Sequence, residues 1–289
     1  MSKEPTIPAA NIRGTVLRPV DEQDVEILID WARREGWNPG LADAEAFHAA
    51  DQEGFIGCYL GNRLVSGIAA VRYGESFGFI GLYITAEDCR GQGLGRAVWD
   101  AGMRHLEGRT ICLDGVVEQQ ANYRRMGFEP AYDTLRWSGR WQGSAASAEV
   151  VLAGPELLEA ILACDALYFP EPRRDFLTRW LMPPRQVLAL VRNGRVEAYG
   201  VMRETHDGWK IGPLFAETPE DAQQILANGA ARLSGQVLHL DVPEPQLSFA
   251  AFLKDKGFSR GFQTTRMYRG SPAAVRADGI FAVTTLELG

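Results

Sequence analysis

A glycine-rich turn in the first half of the chain has the residue types and the spacing of an anion-binding loop. It lies between an apolar, strand-like run and a helix-like run, and reads Arg90, Gly91, Gln92, Gly93, Leu94, Gly95 and Arg96. The glycines remove side chains where the helix begins, so unpaired backbone N–H groups and the positive end of the helix dipole can approach an anion closely. The two arginines add positive charge. The pattern predicts a site for an anion such as a pyrophosphate.

Two other phosphate-binding motifs fit this turn poorly. A nucleoside triphosphate loop would end in Gly-Lys-Ser or Gly-Lys-Thr, which this turn lacks. A dinucleotide fingerprint would need glycine where Arg96 stands. A second motif, Asn122-Tyr123-Arg124-Arg125-Met126-Gly127-Phe128, follows about thirty residues downstream on another helix-like run. The conjunction of the two motifs is more specific than the turn alone.

The elements around the turn can be read from capping residues and apolar periodicity. Asp21 is placed to cap a helix through Gly36, with Asp24 three residues later as in a capping box. Strands are predicted over 14–19, 55–60, 63–72, 77–84, 110–113 and 131–137, and further helices over 43–50, after the glycine turn, and over 119–126. This mixed order predicts an α+β fold, since a doubly wound sheet would alternate regularly.

The strand over 77–84 is predicted to be buried on both faces because it is apolar throughout. Strict alternation would divide its side chains into two sets, with Phe77, Phe79 and Tyr83 on one face and Ile80, Leu82 and Ile84 on the other.

The second half of the chain repeats the surroundings of the first. Gly127-Phe128 and Arg136 correspond to Gly257-Phe258 and Arg266, and each block follows a short apolar strand that ends in an acid, Asp114 or Asp241. A repeat of this length predicts a duplicated domain. We place the two domains at residues 1–142 and 143–289, joined by the Ser- and Ala-rich stretch over 142–148.

Composition excludes several classes of protein. With 289 residues and 46% hydrophobic content the chain can build two cores, and a net charge of −7 argues against a nucleic-acid-binding surface. No apolar run is long enough to span a bilayer and the start lacks a signal peptide, so we expect a cytoplasmic protein without a membrane partner. The four cysteines lack metal or disulfide spacing, and buried, reduced thiols are expected at Cys58, Cys89, Cys112 and Cys164, with no metal bound.

At the two motifs the chain resembles the GNAT family of acetyl-CoA-dependent N-acetyltransferases. The strand containing Leu82, Tyr83 and Ile84 is similar to the family's splayed strand, and Tyr123 with the following Gly127-Phe128 is similar to its tyrosine-bearing helix and turn. The resemblance covers roughly residues 14–138 and extends to the second half in outline. It implies two GNAT-like domains, each a mixed, mostly antiparallel sheet flanked by helices.

The resemblance also implies how acetyl-CoA would bind as a co-substrate. The backbone of Leu82 and Ile84 would pair with the pantetheine arm, beside Tyr83, and the amides from Gly91 to Arg96 would hold the pyrophosphate. The tyrosine-bearing helix would add contacts from Asn122, Tyr123 and Arg125. The loop at Trp37 and Asn38, together with Tyr83, would line the acceptor pocket.

Family membership implies direct attack of an amine on the acetyl thioester. An alkyl ammonium with a pKa of about 10.4 is almost entirely charged at pH 7, so a base or a desolvating pocket is required. Backbone N–H groups near Ile84 would polarise the carbonyl, and Tyr123 matches the tyrosine that protonates the departing thiolate. Three acids, Glu75, Asp114 and Glu118, could act as the base through water, and each could equally be a solvated acid or a cap.

The second half departs from the motif at the strand-to-helix position. Thr218 is placed to cap the helix there and Pro219 occupies its first position, while Glu217, Glu220 and Asp221 would satisfy the positive helix end and repel phosphate. Leu253 stands where the first half has Tyr123. We therefore expect one acetyl-CoA site per chain, with a degenerate second half that braces the first or closes over the acceptor.

The sequence thus favours an N-acetyltransferase acting on a primary amine of a small molecule. Two alternatives stay open: a non-catalytic acyl-CoA-binding or sensing protein, and a transferase of a larger acyl group. A monomer and a homodimer are equally compatible with the sequence.

Overall fold

The computed structural model describes residues 14–143, 147–233, 235–272 and 274–289. The middle of the predicted junction, residues 144–146, lies outside this described part. Each predicted element of the first half is present, within a few residues of its expected bounds. Asp21 caps the first helix as predicted, since its carboxylate accepts the N–H of Asp24 at 2.9 Å.

The first half contains six strands and four helices among its described residues. In chain order they are β1 (Thr15–Pro19), α1 (Glu22–Arg34), α2 (Asp43–Ala50), β2 (Phe55–Leu60), β3 (Arg63–Tyr73), β4 (Phe77–Thr85), α3 (Leu94–His105), β5 (Thr110–Val116), α4 (Gln120–Arg125) and β6 (Glu129–Arg140).

The second half repeats this order with a short additional strand at its end. Its elements are β7 (Val150–Leu152), α5 (Leu158–Asp165), α6 (Arg174–Trp180), β8 (Gln186–Arg192), β9 (Arg195–Glu204), β10 (Trp209–Ala216), α7 (Pro219–Ala231), β11 (Val237–Pro243), α8 (Leu247–Asp255), β12 (Ser259–Arg269) and β13 (Ile280–Ala282).

All the strands belong to one continuous sheet. Its order is β1-β2-β3-β4-β5-β12-β6-β11-β10-β9-β8-β7, and β13 pairs with β10. Only the pairs β4–β5 and β10–β11 are parallel among the strands described. The fold is therefore α+β with a mixed, mostly antiparallel sheet, as predicted.

The two halves exchange their last long strands. β12 of the second half lies beside β5 of the first, and β6 of the first half lies beside β11 of the second. The order of strands is consequently the same when read outward from the β6–β12 pair in either direction. Each half of the sheet is completed by the other half, and the boundary between residues 142 and 143 remains a prediction.

Helices cover both faces of this sheet. On one face α3 packs over the first half through Leu94 and Val98, and α7 packs over the second half through Ile225 and Leu226. On the opposite face α1, α2, α5 and α6 enclose a single hydrophobic core to which both halves contribute. This second face is therefore the interface between the halves.

The C-terminal segment, residues 280–289, is inserted into that interface. β13 pairs with β10, and residues 281–289 are all buried. The segment crosses the first half at Gly81 and the second half at Gly212. A Cβ added at either glycine would overlap main-chain carbonyl oxygens of the C-terminal segment. Glycine is required at both positions for this close approach.

Candidate active site

The parallel strands β4 and β5 separate near their carboxyl ends. They pair from Phe77 to Ile80 on β4 and from Thr110 to Leu113 on β5, and they diverge beyond these residues. The cause is a β-bulge in β4, where Leu82 has φ +45° and the register with β3 shifts. A branched residue in this left-handed conformation is strained, which is common at functional sites.

The bulge also changes which side chains of β4 share a face. Leu82 and Ile84 lie with Phe79 in the core beneath α1, whereas Tyr83 and Ile80 pack on the face that carries α3. The strict alternation predicted from the sequence was therefore wrong beyond Gly81. The extra residue of a bulge reverses the alternation of every side chain that follows it.

A small cavity of about 30 Å³ occupies the opening between the two strands. It is bounded by β4, β5 and α4 in the first half and by β12 and the C-terminal segment in the second. Its lining includes Trp37, Gly81, Leu82, Tyr83, Asp114, Tyr123, Phe262, Thr264 and Leu286. The structure thus brings Leu82, Tyr83, Tyr123, Asp114 and Trp37, five of the predicted site residues, to one opening.

The glycine-rich turn leads into α3 next to this opening. Gly93 is the N-cap residue with φ +81°, Gly91 has φ +75°, and among the described residues no side chain caps the helix. A Cβ at Gly95 would lie 3.0 Å from the Thr85 hydroxyl and 3.1 Å from the Tyr83 hydroxyl, so glycine there lets α3 approach β4 closely. The uncapped amides and the helix dipole suit an anion.

The charged and polar side chains of the turn are exposed. Arg90 donates through Nε to the carbonyl oxygen of Thr85 at 3.1 Å and forms an ion pair with Glu35. Arg96 pairs with Asp100 one helical turn later, at 2.7 Å. Exposed pairs of this kind contribute little stability, so both guanidinium groups are available to exchange a carboxylate for a phosphate.

The predicted contacts on α4 lie at the surface. Asn122 donates through Nδ2 to Gln119 at 2.6 Å and accepts from the guanidinium of Arg125. In the turn, Gln92 makes one weak hydrogen bond, 3.5 Å long, to the Asp88 carbonyl oxygen. Their side chains are not held in the core, and a role in binding CoA remains a prediction.

Tyr123 is held in an aromatic row that crosses the opening. Its ring stacks on Trp99 with centroids 5.7 Å apart, and Trp99 in turn lies 5.3 Å from Tyr83. Burial raises the pKa of Tyr123, and the neighbouring Tyr83 adds to that rise. Its hydroxyl has no hydrogen-bond partner in the described part of the chain. A protonated, unpartnered phenol at this point can donate a proton.

The three predicted base candidates have different surroundings. Asp114 forms a bidentate ion pair with Arg266 of β12, both bonds 2.8 Å, and its side chain is fully buried. Burial raises the pKa of Asp114, and the Arg266 guanidinium opposes that rise. Glu118 is exposed in the turn before α4 and does not line the cavity. Glu75 lies in the exposed turn before β4, about seven strand residues or 23 Å from Leu82.

The loop at Trp37 and Asn38 is docked on the second half. Trp37 lines the cavity, and its carbonyl oxygen accepts from Nζ of Lys210 at 3.1 Å. Asn38, at φ +51°, donates to the Thr205 hydroxyl at 3.0 Å. Contacts with the second half therefore hold the loop that forms one wall of the opening.

The equivalent position in the second half is built differently. Thr218 caps α7 by accepting from the N–H of Asp221, and Pro219 occupies the first turn. Asp221 also forms an ion pair with Arg192 at 2.9 Å. Carboxylates thus occupy the positive end of α7, and an anionic ligand there would be repelled.

Sequence reasoning missed the C-terminal segment as part of the site. Leu286 lines the cavity, and Glu287 follows it as a fully buried acid. The available signal was a single acid within the otherwise uncharged run over 279–289. An acid in such a run must find a polar environment, but its partners cannot be read from the sequence.

Three further properties concern the described residues. No group of three or more His, Cys, Asp and Glu side chains is arranged to hold a metal ion there. No helix in that part of the chain is both long and apolar enough to cross a membrane. All four cysteines are buried and unpaired, as predicted.

Comparison with known families gives one match for each half. The acetyltransferase (GNAT) family model matches residues 23–128. A second model, described as an acetyltransferase (GNAT) domain, matches residues 161–282.

Related proteins match almost the whole chain. The Holothin acyltransferase of Pseudoalteromonas sp. (strain SANK 73390) is 31% identical over 277 residues, which are 94% of this chain and 94% of that protein. The Uncharacterized N-acetyltransferase YitH of Bacillus subtilis (strain 168) is 23% identical, over 93% of this chain and 96% of its own.

Solved structures share the fold. A Pyrococcus horikoshii protein described as an acetyltransferase superposes with a TM-score of 0.81 at 20% identity, covering 96% of this chain and 97% of its own. A GCN5-related N-acetyltransferase from Sphaerobacter thermophilus gives a TM-score of 0.59 at 13% identity, with 91% and 98% covered.

Proposed function

Because the chain belongs to the GNAT family, in its tandem form, and is an acyltransferase that uses acyl-CoA as co-substrate, we propose that it moves an acetyl group from acetyl-CoA to a primary amine of a small molecule. The observation that carries this proposal is the opening between β4 and β5. It lies beside the uncapped helix α3 and contains Tyr123, and α7 offers no such site in the second half.

The residues of the opening fit acetyl-CoA as a co-substrate. The amides at the start of α3, together with Arg90 and Arg96, would bind the pyrophosphate. The edge of β4 that faces β5 is unpaired at Leu82–Ile84 and would bind the pantetheine arm. This arrangement would direct the thioester toward the cavity that Tyr123 lines. Main-chain N–H groups of β4 would polarise its carbonyl.

The chemistry is direct attack in a ternary complex. The amine nitrogen forms a bond to the thioester carbonyl carbon while the bond from carbon to sulfur breaks. Tyr123 gives its phenolic proton to the departing thiolate, and the phenolate recovers a proton from the newly acylated nitrogen. Burial suits Tyr123 to this role, because it keeps the phenol protonated until the thiolate forms.

The size of the cavity supports acetyl as the transferred group. The space of about 30 Å³ is bounded by Tyr83, Ile80 and Tyr123. A longer acyl group is the second candidate, because the 31% identical relative is named as an acyltransferase. A longer chain would require a side chain of the lining, such as Tyr83, to change rotamer.

Turnover with a mixed acceptor panel tests the function. Release of free CoA thiol would be followed with acetyl-, propionyl- and hexanoyl-CoA and with polyamines, amino acids, aminosugars and peptide N-termini. We expect amine-dependent thiol release, fastest with acetyl-CoA. Binding of acetyl-CoA without turnover across the panel would contradict the proposal, and faster release from hexanoyl-CoA would favour the second candidate.

A further inference from the structure

A stripe of polar side chains crosses the sheet beside the opening. Residues that pair in register on neighbouring strands share a face, and the pairs Asp114–Arg266, Thr264–Thr134 and Arg136–Asp241 place these six side chains on one face of β5, β12, β6 and β11. Lys210 of β10 extends the stripe, since its Nζ lies 3.4 Å from the Asp241 carboxylate. The C-terminal segment lies on this same face, the interface between the halves.

Most charges of the stripe are already paired. Arg266 is bound to Asp114, and Arg136 is bound to Asp241 through two hydrogen bonds of 2.7 and 3.0 Å. Above the stripe Arg203 pairs with Asp43 at 3.4 Å. Arg203 and Lys210, the cations that act on Glu287, each lie within ion-pair distance of another carboxylate, and Nε of Arg203 has no hydrogen-bond partner among the described residues.

Glu287 is the exception. It is 1% exposed, and neither carboxylate oxygen has a hydrogen-bond partner among the described residues. The Thr264 hydroxyl, on a residue that lines the cavity, is equally buried and unpartnered, as is the Thr134 hydroxyl beside it. Buried polar groups are nearly always hydrogen-bonded, because leaving them unpaired is costly. Unpaired groups thus occur on Thr264, which lines the cavity, and on Glu287, which follows the cavity residue Leu286, and they indicate that a hydrogen-bonding ligand belongs at this side of the opening.

The location relates these groups to the acyl-transfer reaction. The main chain of Glu287 lies against Gly81, the residue before the bulge at Leu82, and Leu286 lines the opening. The acid therefore lies on the opposite face of the sheet from α3, where an acceptor would meet a thioester held between β4 and β5.

We propose that Glu287 binds the ammonium group of the acceptor and takes its proton, with the Thr264 hydroxyl as a second hydrogen-bonding contact. This inference rests on the proposed function and adds the base that the reaction requires. The acceptor class is a small primary amine, held at a site made by both halves of the chain.

The proton balance of the step is complete. One proton passes from the ammonium to a Glu287 oxygen, which leaves a neutral amine. The nitrogen then attacks the thioester carbon, the C–N bond forms and the C–S bond breaks, and Tyr123 relays one proton from nitrogen to sulfur. Glu287 returns its proton to solvent after the amide leaves.

The charges around Glu287 bear on its basicity. It faces Lys210 of β10, Arg203 of β9, Asp43 of α2 and Asp241 of β11. Burial raises the pKa of Glu287, the two cations oppose the rise, and the two acids add to it. A carboxylate with a raised pKa is a stronger base than one with an ordinary pKa.

The test compares the wild type with Glu287→Gln, with Glu287→Asp as a second variant and the exposed Glu217→Gln as a control. At pH 7 we expect Glu287→Gln to lower kcat/KM by about 10²- to 10⁴-fold, with an unchanged Kd for acetyl-CoA. Glu217→Gln should match the wild type. If Glu287→Gln does not fold, Glu287→Asp keeps the carboxylate one methylene shorter and should show the same defect in weaker form.

The pH profile separates a base from a structural residue. Without the base only amine already neutral in solution reacts, so the ratio of wild-type to variant kcat/KM should fall about tenfold per pH unit between the pKa of Glu287 and that of the amine. An acceptor amine of low pKa, neutral at pH 7, should remove most of the defect. A ratio that is constant with pH and equal for both amines would overturn the proposal.

Failure of the proposed function would be distinguishable from failure of this inference. If the proposed function is wrong, the wild type will release no CoA with any amine. The acceptor site is then tested by calorimetry, which measures the binding of ethylammonium and putrescine to the protein–CoA complex. Loss of binding in Glu287→Gln would support the acceptor site. Equal binding by both proteins, or no binding by either, would overturn it.

Discussion

Tyr123 shows how the neighbours of a residue determine its chemistry at this site. Trp99 stacks on its ring and Phe128 contacts it edge-on, and its hydroxyl is left without a partner in the described structure. The ring is therefore positioned by packing, while the polar end faces the opening that it lines. An exposed tyrosine on the same helix would lack both the fixed position and the raised pKa.

Replacing the hydroxyl tests this role directly. We expect Tyr123→Phe to lower kcat by about 10²- to 10⁴-fold, the typical contribution of a general acid, with little change in the Kd for acetyl-CoA. The measurements are steady-state kinetics under conditions where chemistry limits turnover, and calorimetry. Tyr168→Phe is the control, because it removes an unpartnered hydroxyl from a tyrosine that does not line the opening. An unchanged kcat would make Tyr123 a packing residue.

At the scale of elements, α3 and α7 occupy equivalent positions with opposite electrostatics. α3 begins at Gly93 with no acid in its first turn, whereas α7 begins at Thr218 with Glu220 and Asp221 in its first turn. Charge within the first turn of a helix is worth about 0.3–1 kcal/mol per unit. The same fold therefore leaves the start of α3 without an acid and places two acids at the start of α7.

Reversing one charge on each helix tests this difference. Arg96→Glu changes the charge at the start of α3 by two units, so acetyl-CoA should bind about 3- to 30-fold more weakly. The matched change on α7, Glu220→Arg, should leave the affinity unchanged. Calorimetry should give one acetyl-CoA per chain in the wild type. A stoichiometry of two, or a response to Glu220→Arg, would contradict our interpretation of the second half.

At the scale of the whole molecule, the exchange of β6 and β12 joins the two halves. It produces two equivalent buried ion pairs, Asp114–Arg266 and Asp241–Arg136, and each links a strand of one half to the exchanged strand of the other. The residues that mark the repeat in the sequence are therefore paired between halves and not within them. The first half, which carries the proposed acetyl-CoA site, depends on β12 to cover β5.

Breaking either pair should destabilise the whole molecule. Asp114→Asn and Asp241→Asn each leave a buried arginine unpaired, and we expect each to reduce the free energy of unfolding by about 3–5 kcal/mol. Urea unfolding measures the change. Asp88→Asn, which removes an exposed pair with Arg63, should cost no more than about 1 kcal/mol. Equal effects for the buried and exposed pairs would show that the exchanged strands are not held by these contacts.

The sequence by itself determined the elements of the first half, the glycine-rich turn before α3 and the duplication. Caps such as Asp21 and Thr218, glycines with positive φ and apolar periodicity are local signals, because they concern residues within about one helical turn or strand of each other. The family and the contrast between α3 and α7 followed from such signals.

Only the tertiary structure decided which faces and partners those elements have. The bulge at Leu82 reversed the expected faces of β4, the last strands exchanged between halves, and Glu287 entered the interface from the end of the chain. The last strands of the two halves, β6 and β12, carry the same local pattern. The sequence around β5 therefore does not show which of them pairs with it, and the choice depends on contacts between residues more than a hundred positions apart. That choice depends on the free energy of the whole packed sheet, which no short stretch of sequence contains.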